Sequence, residues 1–150
     1  MTYQIIYSSE SATPMQMDDL EEILVQARRN NAKNGITGAL VYVDGVFLQI
    51  LEGESPTVQQ LMAKISTDVR HETITVLKER EVPVAMFADW KMAYVSATAA
   101  QVAKWAGLSE VTAIPDVVTD MRQAPDTATR VAQSILSVLE TLPVAEDKAD

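Results

Sequence analysis

The amino-acid sequence predicts a single domain of the α/β (α+β) class, in which helices pack on a β-sheet. Three observations support this class. Apolar residues alternate in several short segments, they recur at helical spacing in longer ones, and turn signals such as Asn-Gly and Asp-Gly separate the segments. A chain of 150 residues has room for one such domain with a modest core and appended helices.

The first strand and the first helix are predicted at residues 2–8 and 17–32. Residues 2–8 alternate in polarity and are rich in Ile and Tyr, which favours a strand. In residues 17–32 acidic side chains occupy the first turns, where the helix dipole stabilises them, and Asn34-Gly35 is a turn signal at the end. The apolar stripe of this helix consists of Leu20, Ile23, Leu24 and Ala27.

A β-hairpin and a second helix follow. Residues 38–43 and 46–52 flank Asp44-Gly45, and a two-residue connection with glycine second is typical of a tight hairpin. Ser55-Pro56 is a helix-start signal, because serine caps a helix and proline suits its first turn. Residues 56–67 carry the helical spacing of Val58, Leu61, Met62 and Ile65.

Two further strands complete the predicted sheet. Residues 73–81 predict a strand, residues 82–89 a loop and residues 90–96 the last strand. The predicted order is therefore β-α-β-β-α-β-β. Two β-α-β units joined by a hairpin make a ferredoxin-like sheet with both helices on one face.

The other face of this sheet needs a cover, because a sheet buries its apolar face against another layer. Helices predicted at residues 98–106 and 126–142 supply that cover, with Pro115, Pro125 and Pro143 as punctuation between and after them. The chain is thus expected to divide into residues 1–96 and a C-terminal helical extension, residues 97–150, with an acidic tail from about residue 143.

The composition excludes several classes of function. The chain has 12 basic and 21 acidic side chains, and the resulting net charge of −9 repels nucleic-acid backbones. It has no cysteine, which excludes disulfides and thiolate chemistry, and its single histidine has no ligand cluster around it for a metal. No segment approaches the roughly 20 apolar residues of a membrane span, and the N-terminus lacks signal-peptide features. We expect a cytoplasmic protein without nucleic-acid, membrane or metal partners.

Polar side chains occupy positions of the predicted sheet where hydrophobic residues are expected. Residues 46–51 are apolar on both faces, which marks a central strand and makes Gln49 an exception on the face it shares with Phe47 and Leu51. A buried amide must satisfy two donors and an acceptor oxygen. Gln49 is therefore either a structural residue, bonded to backbone or to Tyr7 of the first strand, or an amide directed at a ligand.

Two other polar or aromatic pairs also have two interpretations each. Asn30 and Asn31 close the first helix, where asparagine tolerates left-handed backbone, but their amides also complement the imide edge of a ring. Trp90 and Met92 alternate and are expected on one face of the last strand, either for packing or beside Gln49.

The remaining candidates lie on the two helices or directly after the second one. Lys64, Arg70 and His71 lie at the end of the second helix, either as a solvated cationic terminus or as a rim that meets the tail of a ligand. Ile23 and Ile65 could hold a flat ring between the helices, and core packing explains them equally well.

Together these residues resemble the BLUF family of flavin-binding blue-light sensors. The resemblance covers about residues 2–95 and depends on an ordered set of short motifs rather than on any one of them. Lys64 departs from it, because relatives often carry arginine there, whose planar fork lysine lacks. The ordered set is Tyr7, Asn30-Asn31, Gly35-Ile36-Thr37-Gly38, Gln49-x-x-Glu52-Gly53, Arg70-His71 and Trp90-x-Met92.

The resemblance implies a non-covalently bound flavin, FAD with FMN or riboflavin as alternatives, and a photochemical rather than an enzymatic role. It implies that Tyr7 supplies an electron and a proton, that Gln49 rotates or tautomerises, and that Trp90 or Met92 lies against Gln49. The flavin-binding residues it implies are Tyr7, Ile23, Asn30, Asn31, Gln49, Lys64, Ile65, Arg70 and His71.

The resemblance also implies a short, stand-alone sensor. Residues 1–96 would form the photosensory domain, and residues 97–150 would serve output or oligomerisation. We expect a homodimer or higher oligomer that signals in trans to a downstream protein, such as a cyclic-nucleotide signalling enzyme. Two alternatives stay open: a ligand-free ferredoxin-like interaction domain, and a small hydrolase of acylphosphatase type, although residues 8–14 hold no arginine for a phosphate loop.

Overall fold

The structure is a computed structural model that describes residues 1–108 and 113–141, and the predicted acidic tail lies outside them. Within these ranges, no helix is long and apolar enough to cross a membrane. The elements, in chain order, are β1 (Thr2–Ser11), α1 (Met17–Asn34), β2 (Thr37–Val43), β3 (Val46–Gly53), α2 (Ser55–Thr67), β4 (His71–Val82), β5 (Ala93–Ser96), α3 (Ala99–Trp105), α4 (Ile114–Gln123) and α5 (Pro125–Thr141).

The five strands form one sheet in the order β4-β1-β3-β2-β5. β1 pairs antiparallel with β3 and β4, β2 and β3 form the antiparallel hairpin, and β5 runs parallel to β2. The crossovers through α1 and α2 each skip one strand, which is the split β-α-β pattern. The predicted ferredoxin-like fold is confirmed.

Most of these elements begin and end close to where local signals in the sequence predict. Asp44 and Gly45 have φ values of 50° and 79°, the left-handed pair that a type I′ hairpin turn requires. Gly35 ends α1 with a φ of 67° and donates its N–H to the carbonyl of Asn31, so the predicted stop signal is confirmed. The cap of α2, predicted at Ser55, falls instead on Glu54.

The sheet is covered on both sides. We term the side under α1 and α2 the cleft face, and the side under α3, α4 and α5 the cap face. Strand β3 shows how one segment serves both, because Phe47 and Leu51 join the cleft-face core while Leu48 and Ile50 join the cap-face core. This is the division that strict alternation predicts.

The C-terminal helices share a core with the sheet. Val117 of α4 and Ile135 of α5 pack in the same buried cluster as Val41 and Ile50 of the sheet. Lys78 of β4 also pairs with Asp126 at the start of α5, at 3.6 Å. The extension therefore forms a second layer of the domain, as predicted from the uncovered face.

Helix α4 is absent from the sequence-based prediction. The sequence predicts Pro115 as punctuation between helices, but this residue lies in the first turn of α4, where the absence of a proline N–H costs no hydrogen bond. Its neighbours Val117 and Met121 lie one turn apart and are both buried. The spacing of these two residues is typical of a helix, although the neighbouring prolines favour a break in regular structure.

The prediction that Trp90 and Met92 share one face is wrong. Alternation requires extended backbone, but β5 begins only at Ala93 and the chain bends at residues 91–92. Trp90 therefore packs in the cap-face core, whereas Met92 packs in the cleft-face core.

Candidate functional site

A cleft opens between α1 and α2 over the cleft face of the sheet. Its space, including the mouth to solvent, is about 700 Å³. Of the nine residues predicted to bind a ligand, eight line this cleft, namely Ile23, Asn30, Asn31, Gln49, Lys64, Ile65, Arg70 and His71.

The ninth, Tyr7, lies behind Gln49 at the floor. The β1–β3 register places the two residues directly opposite each other, and the Tyr7 phenol donates a hydrogen bond to Oε1 of Gln49. Complete burial, with the nearby Asp68 charge as a second cause, raises the pKa of Tyr7. The phenol is therefore a neutral donor across the physiological range.

The Gln49 amide keeps hydrogen-bonding capacity for a ligand. Its Nε2 lies 3.6 Å from Sδ of Met92, and a thioether is a weak acceptor. Among the described residues, its hydrogen-bond partners are Tyr7 and Met92. An amide with one strong and one weak partner, at the floor of a cleft, is equipped to bond a polar ring edge.

Helix α1 supplies the amide side of the cleft. Asn31 is 1% exposed and donates from Nδ2 to the backbone oxygen of Lys91, which leaves its carbonyl and one N–H for a ligand. Asn30, at the exposed side of the same turn, also lines the cleft. Nε of Arg28 donates to the Met92 carbonyl at 3.0 Å, so α1 is tied to the bend that carries Met92.

The rim of the cleft contains a tightly paired arginine. Arg70 Nη2 lies 2.6 Å from Oδ2 of Asp68, Arg70 Nε lies 3.0 Å from Oδ1 of Asp68, and Arg70 Nη2 also donates to Oε1 of Gln26 at 3.2 Å. The hydrogen bonds from Arg70 lower the pKa of Asp68 to about 2. Asp68 thus offsets the positive charge of Arg70. Lys64 also lines the cleft and adds a second cation to the rim.

His71 forms part of the inner wall next to the rim. Its Nδ1 lies 2.9 Å from Oγ of Ser9, and its ring lies 4.7 Å, centroid to centroid, from that of Phe47. Burial lowers the pKa of His71, which keeps the ring neutral near pH 7. The predicted cationic role therefore falls to Lys64 and Arg70, and His71 contributes a neutral, hydrogen-bonded ring.

Six cleft residues were not predicted, although five of them had a local signal. Ala27 and Leu61 lie on the apolar stripes of the two helices. Phe47 shares the alternation of Gln49, Gln26 lies one turn after Ile23 on α1, and Asp68 precedes Arg70 by two residues. Leu40 had none, because it reaches the cleft from the neighbouring strand β2.

Trp90 does not reach the cleft. It is 6% exposed in the cap-face core, and its Nε1 is buried without a hydrogen-bond partner in the described part of the chain. Of the two residues predicted to lie against Gln49, the structure brings Met92 there.

The donor set and the shape of the cleft fit a flavin. Ile23 and Ile65, on facing helices, wall a slot suited to a flat ring, and three amides offer both donors and acceptors to an imide edge. The polar, partly cationic rim suits a ribityl or phosphate tail. Within residues 1–108 and 113–141, no group of three or more acidic or histidine side chains is placed to hold a metal ion.

Known proteins match this chain in sequence. Residues 2–93 match the BLUF family, described as sensors of blue-light using FAD. The chain is 38% identical over 112 residues to photoactivated adenylate cyclase subunit beta of Euglena longa, covering 71% of this chain and 12% of that protein. It is 35% identical over 114 residues to a beta-like protein, FB, of Euglena gracilis, covering 73% and 13%. The chain thus spans about an eighth of the length of these curated relatives.

Solved structures match the fold, including the C-terminal helices. The photo-activated state of BlsA superposes with a TM-score of 0.74 at 26% identity, covering 91% of this chain and 95% of that one. The dark state of BlrB, a BLUF protein, gives 0.73 at 25% identity, covering 91% and 96%. A bacterial light-regulated adenylyl cyclase gives 0.62 at 27% identity, covering 89% and 36%. Since the family match spans residues 2–93 and the fold agrees with it, this chain belongs to the BLUF family of flavin-using blue-light sensors.

Proposed function

We propose that this protein is a blue-light sensor that binds FAD non-covalently in the cleft and signals to a partner protein. The observation that carries the proposal is the row of Tyr7, Gln49 and Met92 at the cleft floor, where a buried phenol donates to an amide that retains capacity for a ligand. Family membership favours this function over a ligand-free interaction domain or a small hydrolase.

The residues that would hold the flavin follow from their places in the cleft. Ile23 and Ile65 would contact the two faces of the ring, and the amides of Asn30 and Asn31 would bond its imide edge. Gln49 would approach from the floor with Tyr7 behind it. The tail would lie along the rim, near Lys64, Arg70 and His71. The family description names FAD, which we favour over FMN or riboflavin.

The photochemistry assigns a different task to each floor residue. A flavin held in the cleft would supply a chromophore for blue light and an acceptor for one electron and one proton. Tyr7 would supply both, and the burial of its neutral phenol and its hydrogen bond to Gln49 support this role. Gln49 would exchange its donor and acceptor ends, by rotation or tautomerisation, and Tyr7 would recover its electron and proton as the charges recombine. The lasting change is a new hydrogen-bond pattern around Gln49.

The output is proposed to act in trans through the cap face. A BLUF domain is a sensor and not itself catalytic, and we propose that this chain has no enzymatic activity. Residues 1–96 would sense light, and residues 97–150 would form the output or oligomerisation layer of a cytoplasmic homodimer or higher oligomer. Since matching relatives are photoactivated and light-regulated cyclases, a cyclic-nucleotide signalling enzyme is the partner class we propose.

Absorption spectroscopy of protein purified in the dark tests this function. We expect yellow protein whose spectrum shifts slightly to the red under blue light, without bleaching, and returns in darkness. Tyr7→Phe and Gln49→Leu should keep the flavin and lose the shift. Tyr3→Phe is the matched control, because Tyr3 lies on the same strand but bonds Glu79 outside the cleft. Protein that does not bind FAD, or a full shift in Tyr7→Phe, would overturn the proposal.

Titration with FAD tests the amide edge. Asn31→Ala removes one partner of a desolvated polar pair, which costs about 1–3 kcal/mol, or roughly a 5- to 150-fold loss of affinity. Asn34→Ala controls for the loss of an asparagine from the same helix, since Asn34 is exposed and bonds the backbone of Asn30. Equal affinity in the two variants would remove Asn31 from the site.

A further inference from the structure

The segment from Met86 to Met92 crosses from the cap face to the cleft face and is held at both ends. At the cap end, one side chain holds two successive backbone amides: the N–H of Met86 and that of Phe87 donate to the two oxygens of Glu52, at 2.7 and 2.8 Å. Further along, the carbonyl of Trp90 accepts from the N–H of Gly38 at 3.1 Å.

Side chains of α1 hold the cleft end of this segment. Asn31 donates to the Lys91 carbonyl, and Nε of Arg28 donates to the Met92 carbonyl at 3.0 Å. The sheet bonds only the flanking residues, since Gly38 of β2 bonds Trp90 and the β2–β5 ladder begins with Ala39 opposite Ala93. The side-chain bonds therefore replace the ladder bonds that residues 91–92 lack.

A fixed backbone matters at this position because the flexible side chain of methionine does not determine its own conformation. Its side chain is unbranched and turns about three bonds, so the place of the Met92 sulfur depends on its buried surroundings and on where its Cα is held. The side chain is completely buried, and its sulfur lies 3.6 Å from Nε2 of Gln49. A shift of the bend would move this contact directly.

We propose that Arg28 is a positioning residue, whose bond to the Met92 carbonyl fixes the Met92 sulfur against Gln49, with Glu52 holding the far end of the same segment. The bond is charge-assisted and directional, and it reaches from a helix that walls the cleft to the bend that leads into β5. The consequence for photochemistry rests on the proposed function. With the bend loosened, the rearranged Gln49 amide is less confined and returns faster.

Nuclear magnetic resonance of methionine methyl groups tests, without light, whether Arg28 fixes the position of the Met92 side chain. The chain has seven methionines, and Met92→Leu assigns the resonance of Met92. We expect this resonance to move or broaden in Arg28→Ala and to stay in place in Arg29→Ala. Arg29 is the matched control, being the exposed neighbour on the same helix, so both variants lose one positive charge and gain one alanine. An unmoved Met92 resonance in Arg28→Ala would overturn the proposal.

In FAD-loaded protein, the rate of dark recovery tests whether the Arg28 bond slows the return of the rearranged Gln49 amide. We expect recovery to be at least about threefold faster in Arg28→Ala. A hydrogen bond to a charged group changes an equilibrium by about tenfold or more, and we expect part of that effect on this rate. Arg28→Lys, which keeps the charge and can still reach a carbonyl, should restore most of the wild-type rate. Rates within twofold of wild type in both variants would overturn the proposal. A wild-type protein without any light-induced shift would instead refute the proposed function, and the Met92 resonance would still decide the role of Arg28.

Discussion

The two faces of the sheet differ in how completely their apolar cores close. Within the described residues, the cap-face core contains 22 buried hydrophobic residues from the sheet, the 86–90 turn and three helices, and the cleft-face core contains ten. The smaller cleft-face core does not close over its helices, and the space between α1 and α2 is the candidate site.

Two buried polar side chains of β3, Glu52 and Gln49, differ in a related way. Glu52 is fully buried at the end of β3, and its carboxylate accepts from Gln4, Thr37 and the two backbone amides of Met86 and Phe87. Three residues earlier on the same strand, the Gln49 amide has one phenol and one sulfur. A saturated polar group holds the fold together, whereas one with spare capacity can receive a ligand.

The largest effect expected from this contrast is that of Glu52→Ala. The change leaves two backbone amides and the Gln4 amide without their acceptor, and we expect a loss of about 4 kcal/mol in the free energy of unfolding. Urea denaturation measures it, with the exposed Glu81→Ala as the control, expected within about 0.5 kcal/mol of wild type. Equal stability of the two variants would show that the network is not structural.

A cavity in the cap-face core should cost slightly less. Ile135 is 1% exposed in α5, and Ile135→Ala should lower the free energy of unfolding by about 3 kcal/mol. Because this core lies across the sheet from the cleft, the affinity of the folded variant for FAD should stay at the wild-type value. Val25→Ala, at a half-exposed position on α1, is the control. A large loss of FAD affinity in Ile135→Ala would show that the two faces are coupled in binding.

Replacing the floor pair should cost little. Gln49→Leu alone leaves the buried Tyr7 hydroxyl without its acceptor and should destabilise the protein by about 1–2 kcal/mol. Combining it with Tyr7→Phe removes both partners of the bond, so the double variant should return to within about 1 kcal/mol of wild type. A double-mutant cycle in urea measures the difference. A double variant as unstable as Glu52→Ala would refute the contrast between the two polar groups.

The smallest effect concerns pH. Burial holds the pKa of His71 below its ordinary value of about 6.5. The unfolded chain therefore takes up this proton first as the pH falls, so stability is lost from near pH 6.5 downwards, through the folded pKa. His71→Asn should flatten this part of the stability–pH curve relative to wild type. Curves of identical slope would show that His71 is not the group responsible.

Much of the fold could be predicted because the relevant signals are local. The hairpin turn depends on the φ angles of two adjacent residues, and the faces of β3 depend on the two-residue repeat of an extended chain. The eight predicted residues that line the cleft also follow from local order: two helix faces, one strand position and the short stretch after α2. Their shared place follows from the split β-α-β topology, which sets both helices over one face.

The sequence by itself thus determined the sheet, its two covered faces and most of the cleft, since repeat period and turn chemistry act over a few residues. The tertiary structure decided that Trp90 and Met92 lie on opposite faces and that Met92 meets Gln49. The position of that bend depends on bonds to Glu52 and Arg28, which lie 34 to 64 residues away along the chain. A sequence pattern reports the local backbone, whereas such distant partners are set only when the chain has folded.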